Sequence, residues 1–226
     1  MSKISGEMME PSRNNAKTDR KQPGKRDPKQ PRRVTRDYLM NYATWYLERF
    51  TASRARLEKL MRHKIRLSAA EHGTDPQEAE DWMRNVLDTC TRAGFIDDRA
   101  YALGRARSQL RKGKALRMIG ADLAARGIDA DLIDTALSGL HDAARQAATT
   151  GPDQNDPAID PNLAAAAVYA RRRRLGPFRN TDNRAERRDR DLAALARQGF
   201  AYDIATRIID ADLHDLDGLL LMIDGV

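Results

Sequence analysis

The side chains with the most pronounced binding chemistry in this chain are arginines and lysines, which are concentrated in three stretches. Residues 49–66 contain seven Lys/Arg and one acid, residues 99–117 contain seven and no acid, and residues 171–190 contain nine and three acids. Their net charges are +6, +7 and +6. Because guanidinium and ammonium groups pair with phosphates and carboxylates, these stretches could bind a nucleic-acid backbone or an acidic protein groove.

The acidic residues lie between the basic stretches. Residues 71–98 and 122–160 each carry a net charge of −6, and residues 203–224 carry −5. One alternative is that the basic and acidic helices pair across exposed faces, which contributes little to stability. The threefold recurrence favours a binding role. The candidate binding residues are Arg54, Arg56, Lys59, Arg62, Lys64, Arg105, Arg107, Arg111, Lys112, Lys114, Arg117, Arg171, Arg172, Arg173, Arg174 and Arg179.

The residue types that usually carry catalysis form no recognisable constellation. Asp97 and Asp98 follow a turn glycine and precede a predicted helix, so we interpret them as a helix N-cap. Gly113-Lys114 lacks the upstream glycine of a phosphate-binding P-loop. The histidines and the cysteine lack metal-ligand spacing. They are His63, His72, His141, His214 and Cys90. We therefore expect no enzymatic activity, no bound metal and no other cofactor.

Composition limits the cellular setting. The net charge is +7, and residues 1–36 alone account for it, with eleven Lys/Arg against four Asp/Glu. A single cysteine forms no internal disulfide, which favours a reducing compartment. The sequence contains neither an apolar run of membrane-spanning length nor an apolar N-terminal signal segment. We expect a cytoplasmic location without membrane contact.

The pattern beyond the N-terminal segment predicts an all-α fold. Aromatic residues make up only 5% of the chain, while Ala, Leu and Arg, which favour helices, are abundant. Ser53 and Asp75 are predicted helix N-caps, because each precedes apolar residues at helical spacing, and Pro76 occupies a position that suits the first turn of a helix. A group of rings near residues 38–46 could stack nucleic-acid bases, although helical spacing favours packing contacts instead. The group comprises Tyr38, Tyr42, Trp45 and Tyr46.

An internal repeat indicates three modules of three helices. A shift of 72 residues superposes Leu123 and Gly127 on Leu195 and Gly199, and a shift of 63 superposes Leu60 on Leu123. Modules that each bury little should contact in series, so we expect an elongated, curved molecule; a single compact bundle is the alternative. The predicted division is a disordered basic arm at 1–36, modules at 37–96 and 97–148, a linker at 149–160, a third module at 161–210 and a C-terminal segment at 211–226.

Four segments in the expected order resemble the RecX family. Residues 93–102, AGFIDDRAYA, are similar to that family's glycine–aromatic–x–Asp–acid–x–x–aromatic–Ala junction. The segments 111–128 and 195–204 are similar to its second-module helix and its third-module turn, and Ser53 to Leu60 resembles its first-module helix. The resemblance covers roughly residues 37–210. This chain departs from the pattern in its longer basic arm, in an insertion-like stretch at 68–75 and in its long linker.

The resemblance implies three tandem three-helix repeats that bind the RecA recombinase in the helical groove of its filament on DNA. Such proteins restrain the ATPase, strand-exchange and coprotease activities of RecA by limiting filament growth, and some bind DNA directly. It implies no cofactor. We therefore expect a monomer that modulates, mainly inhibits, RecA in DNA repair and recombination, with nonspecific contact to single- or double-stranded DNA. The alternatives are a DNA-binding regulator that uses helices 98–111 and 114–126 as a helix-turn-helix-like pair, and a plain helical scaffold.

Overall fold

The computed structural model describes residues 30–150, 160–179 and 183–225, and the chain divides into two units at residues 1–31 and 32–226. All helices below belong to the second unit. Helices and short 3-10 turns are the regular elements of the described residues, which contain no strand, so the predicted all-α class is confirmed. None of the described helices combines the length and the apolar character that crossing a membrane requires. Most of the predicted arm and linker, 1–29 and 151–159, lies outside the described residues.

The first three helices are α1 (Arg36–Leu47), α2 (Arg54–His72) and α3 (Pro76–Arg92). The Ser53 hydroxyl accepts a hydrogen bond from the Arg56 N–H, and the Asp75 carboxylate accepts one from the Gln77 N–H, so both predicted N-caps are confirmed. The three helices share a hydrophobic core built around Leu39, Leu57, Met61, Met83 and Leu87.

The next three helices are α4 (Asp98–Leu110), α5 (Leu116–Ala124) and α6 (Ala130–Thr150). Asp97 caps α4 as predicted, because its carboxylate accepts a hydrogen bond from the Ala100 N–H. The neighbouring Asp98 does something that the sequence did not indicate: its carboxylate accepts the Arg54 N–H at 2.8 Å and so caps the start of α2. Burial raises the pKa of Asp98, with the charge of Asp129 adding to the rise against the opposing hydrogen bond from the Arg54 N–H.

The remaining helices are α7 (Pro161–Arg173), α8 (Arg184–Arg197), α9 (Tyr202–Asp210) and α10 (Asp217–Gly225), with 3-10 turns at Gly176–Phe178 and His214–Leu216. Helix α7 is buried along most of its length, and its alanines let α4, α6, α8, α9 and α10 approach closely. It joins α4–α6 and α8–α10 into one hydrophobic core. Helix α10 lies in the segment for which the sequence predicted no element, and it packs against α7.

Two glycine turns make the same kind of close contact with an earlier helix. A Cβ added to Gly127 would lie 2.4 Å from Cβ of Ala55 on α2, and one added to Gly199 would lie 2.7 Å from Cγ of Met118 on α5. The repeat shift of 72 relates the glycines, and the shift of 63 relates Ala55 to Met118. Both glycines have positive φ, which other residues adopt at a cost. The division into three modules with the boundaries given above, and the elongated shape expected from it, stay predictions.

Candidate binding surface

Several of the candidate arginines form ion pairs with acids of neighbouring helices. Arg105 donates to both carboxylate oxygens of Asp122 at 2.5 and 3.2 Å, across the interface of α4 and α5. Arg126 and Gln109 donate to the same carboxylate, both at 2.9 Å. The hydrogen bond from Arg105 is the main reason that the pKa of Asp122 lies far below its usual value. In this geometry Arg105 holds two helices together, and its guanidinium is not directed to a ligand.

Arg179 has a similar structural role in a more buried place. The side chain of Asp191 on α8 is almost fully buried and accepts hydrogen bonds from Arg179 at 2.9 and 2.5 Å and from the Gly176 N–H at 2.9 Å. Burial acts to raise the pKa of Asp191, but the hydrogen bonds from Arg179 and from the Gly176 N–H outweigh it and lower the pKa. This pair, with the Gly176 N–H, holds the 3-10 turn at Gly176–Phe178 against α8.

The first basic stretch is also partly engaged within the protein. Arg54 on α2 pairs with Asp88 of α3 at 2.6 Å, and Arg62 pairs with Glu58 at 2.6 Å and with Glu80 at 3.5 Å. The pairs with Asp88 and Glu80, which join α2 to α3, are the pairs between basic and acidic helices that the sequence left open as an alternative. Lys64 lies over the ring of Tyr42 on α1, and Arg56 and Lys59 are exposed.

Residues from the second and third basic stretches meet in a groove that we call the junctional groove. Its volume is about 380 Å³. It is lined by Lys112, Gly113, Lys114, Tyr169, Arg172, Arg173 and Gln198. Four cations and no acid line this groove. Fixed cations around a concave surface form a binding site for phosphate or carboxylate groups.

Three contacts between α7 and the turn that joins α4 to α5 build the junctional groove. Gly113 has φ of 73°, and a Cβ added there would lie 2.8 Å from the Tyr169 N atom, so the turn packs directly on the backbone of α7. The guanidinium of Arg172 donates to the Lys112 carbonyl at 2.9 Å. The Asn162 side chain accepts the Leu116 N–H at 3.0 Å and caps α5, which has no cap from its own preceding residue. The turn is therefore fixed on α7, and the guanidinium of Arg172 is held by a backbone carbonyl and not by an acid.

Four further candidate arginines lie on or next to α4, α5 and α7. Arg111, Arg117, Arg171 and Arg174 are exposed and make no ion pair with another described residue. Arg117 lies close to the turn at Gly199. Arg174 ends α7 with φ of 54°, which is unusual for a residue other than glycine.

Arg107 is half-buried, and its Nε atom has no hydrogen-bond partner among the described residues. Sequence reasoning missed Tyr169 and Gln198, which line the junctional groove, and Asn162, which positions it. Tyr169 could have been found because it precedes Arg172 and Arg173 by three and four residues on one helix face. No group of acids, histidines or cysteine in the described part of the chain could hold a metal ion.

Known proteins with similar sequences indicate the class of protein to which this chain belongs. Residues 97–137 match the family model described as RecX, second three-helix domain. The regulatory protein RecX of Myxococcus xanthus is 35% identical over 83% of this chain and 92% of its own length. That of Mycobacterium marinum is 31% identical over 59% of this chain and 68% of its own length. A crystal structure of a regulatory protein RecX covers 78% of this chain and 72% of its own, with 19% identity and a TM-score of 0.49.

This chain belongs to the RecX family of regulatory proteins, as its motifs led us to expect. The family is one of non-enzymatic regulators, which agrees with the absence of a catalytic pattern in the sequence.

Proposed function

We propose that this protein modulates, and mainly inhibits, the RecA recombinase by binding RecA–DNA filaments and limiting their growth. Membership of the RecX family supports the choice of partner. The observation that carries the proposal is the junctional groove, where four cations from two separate stretches converge without an acid. A filament of recombinase on DNA offers phosphates and acidic protein surface, and both are ligands for such a groove.

The assignment of cations follows from their contacts. Lys112, Lys114, Arg172 and Arg173 bind the filament, because no carboxylate competes for them in the groove. Arg105 holds α4 to α5, Arg179 holds the turn after α7 to α8, and neither binds a partner, because a carboxylate already occupies the Nε–Nη2 edge of each guanidinium. Of the sixteen candidate residues, these two have a structural role in our proposal.

The helix-turn-helix alternative gains no support from the described residues. Helix α5 would be the recognition helix, but it has nine residues, and its charged side chains are Arg117 and the already paired Asp122. Such a helix offers few groups that could read base edges. We therefore propose that any direct DNA contact is nonspecific. Preference for one duplex sequence over random DNA at equal salt would contradict this.

The test follows ATP hydrolysis by RecA on single-stranded DNA with this protein present at less than one molecule per RecA. The wild-type chain should lower the rate progressively, because one molecule that blocks the growth of a filament prevents many RecA molecules from joining it. A variant with the four groove cations changed to Ala should lose most of this inhibition. Inhibition by that variant equal to the wild type would refute the assignment of the groove.

A charge-matched control removes four exposed arginines of the acidic stretches: Arg84, Arg92, Arg145 and Arg207. It changes the net charge by the same amount as the groove variant does. Because it leaves the junctional groove unchanged, it should inhibit RecA nearly as well as the wild-type chain. Equal loss of inhibition in both variants would mean that overall charge, and not the groove, drives binding. Absence of inhibition by the wild-type chain itself would overturn the proposed function.

A further inference from the structure

A row of aromatic rings runs along the C-terminal half of α1 and continues to Phe50, just beyond it. We call Tyr42, Trp45, Tyr46 and Phe50 the aromatic row. The ring centroids of Tyr42 and Trp45 are 6.1 Å apart and stacked, those of Tyr42 and Tyr46 are 6.2 Å apart, and those of Tyr46 and Phe50 are 5.1 Å apart. These spacings make a nearly continuous aromatic surface.

Part of the aromatic row is not core. Tyr42 and Tyr46 pack against the core of α1–α3, as helical spacing predicted. Trp45 and Phe50 lie outside that core and are 48% and 51% exposed. Two large rings that are about half exposed on one short segment require a reason, since burial of such rings is a main source of stability elsewhere.

Two cations lie over rings of the aromatic row. The Arg49 guanidinium lies 5.1 Å from the centroid of Trp45, and the Lys64 ammonium lies 4.4 Å from that of Tyr42. Glu48 contacts Arg49 at 3.4 Å, with both side chains at least half exposed, so this ion pair is weak. Cations held against partly exposed rings suit a polyanion with planar groups better than an apolar protein surface.

We propose that the aromatic row binds single-stranded nucleic acid, with unpaired bases stacked on Trp45 and Phe50 and phosphates paired with Arg49 and Lys64. Aromatic platforms with adjacent cations bind single strands with little sequence preference, because every base has a π-face. Bases inside a duplex cannot reach these rings, so the aromatic row selects single strands. The site is separate from the junctional groove and does not depend on the proposed action on RecA.

The test uses the full chain with Trp82→Phe, which leaves Trp45 as its single tryptophan. An oligo-dT strand of about 16 nucleotides should quench the fluorescence of Trp45, because a stacked base lies in contact with the indole. In the wild-type chain, Trp45→Ala should weaken binding of this strand by about 5- to 150-fold. Trp45→Tyr, which keeps a ring, should recover much of the affinity.

Three controls separate stacking from charge and from folding. Phe95 is 66% exposed and lies outside the aromatic row, so Phe95→Ala should bind oligo-dT like the wild-type chain. An abasic strand with the same phosphates, and a duplex, should bind the wild-type and Trp45→Ala chains equally. Far-ultraviolet circular dichroism should be unchanged in Trp45→Ala, because this ring is not in the core.

Two results would overturn the proposal. One is binding of oligo-dT with no change in Trp45 fluorescence and no loss in Trp45→Ala. The other is a Trp45→Ala chain that keeps its affinity for oligo-dT and loses inhibition of RecA, which would make the aromatic row a protein-docking surface. The RecA assay on the wild-type chain tests the proposed function separately, so failure of either proposal can be distinguished from failure of the other.

Discussion

Changing Asp191 to Asn breaks the buried ion pair with Arg179 and leaves the Gly176 N–H with an acceptor. Removing one partner of a buried pair costs about 3–5 kcal/mol. The Arg179 side chain is 21% exposed and can still reach water, so we expect a loss near the lower end, about 3 kcal/mol. Arg179→Met should cost a similar amount, because it leaves the carboxylate of Asp191 buried without its cation.

The double variant identifies the cause. If the pair is the source of the cost, Arg179→Met with Asp191→Asn should cost no more than either single change, since no charge is then left unpaired. Unfolding in urea, followed by circular dichroism, measures all three. The more exposed pair of Arg188 and Asp210 is the control, and Arg188→Met there should cost clearly less than Arg179→Met.

The same pair makes the stability of the folded chain depend on pH. The pKa of Asp191 is lower in the folded chain than its unfolded value of about 3.9, so its contribution to stability is complete above that value. The contribution is lost as the pH falls through the lowered pKa of the folded chain. Arg179→Met should remove this part of the acid dependence. A cost below about 1 kcal/mol for Arg179→Met, together with loss of filament binding, would refute our reasoning and restore Arg179 as a ligand-binding residue.

Three further predictions concern single positions and are measured by urea unfolding. Gly127→Ala should cost at least about 1 kcal/mol more than Gly73→Ala, because both have positive φ but only the first Cβ would meet a neighbouring side chain; equal costs would contradict this. Arg174→Gly should stabilise the chain by up to about 1 kcal/mol by relieving its positive φ, whereas Arg173→Gly, at the last helical residue of α7, should destabilise it. Asn162→Ala should cost about 1 kcal/mol, as loss of an N-cap does, and a neutral result would mean that water replaces the amide.

The elements that the sequence predicted correctly depend on local chemistry. The caps at Ser53, Asp75 and Asp97 were predictable because a cap involves residues two or three positions apart. The glycine turn at Gly127 was predictable from the repeat. Helix α10 was missed because its short apolar run has no cap signal or clear period and becomes a helix against α7.

The candidate site was only partly predictable, because the fate of each cation depends on packing between distant segments. The basic stretches were visible in the sequence, but nothing local distinguishes Arg105, which meets a carboxylate 17 residues away, from Lys112, which meets none. The convergence of Lys112 with Arg172, 60 residues later, follows from the contact of Gly113 with α7. Glycine at 113 was a signal of that contact, but its partner could not be read from the sequence.

The most direct test of the central claim is the affinity of the chain for preassembled RecA–DNA filaments as a function of salt. We predict that changing Lys112, Lys114, Arg172 and Arg173 to Ala weakens binding and flattens the slope of log affinity against log salt. The change in slope should be about 3 if each cation neutralises one phosphate of the single strand, which contributes about 0.7 to the slope. The control without Arg84, Arg92, Arg145 and Arg207 should keep the wild-type slope. An unchanged slope and affinity in the groove variant would contradict the account.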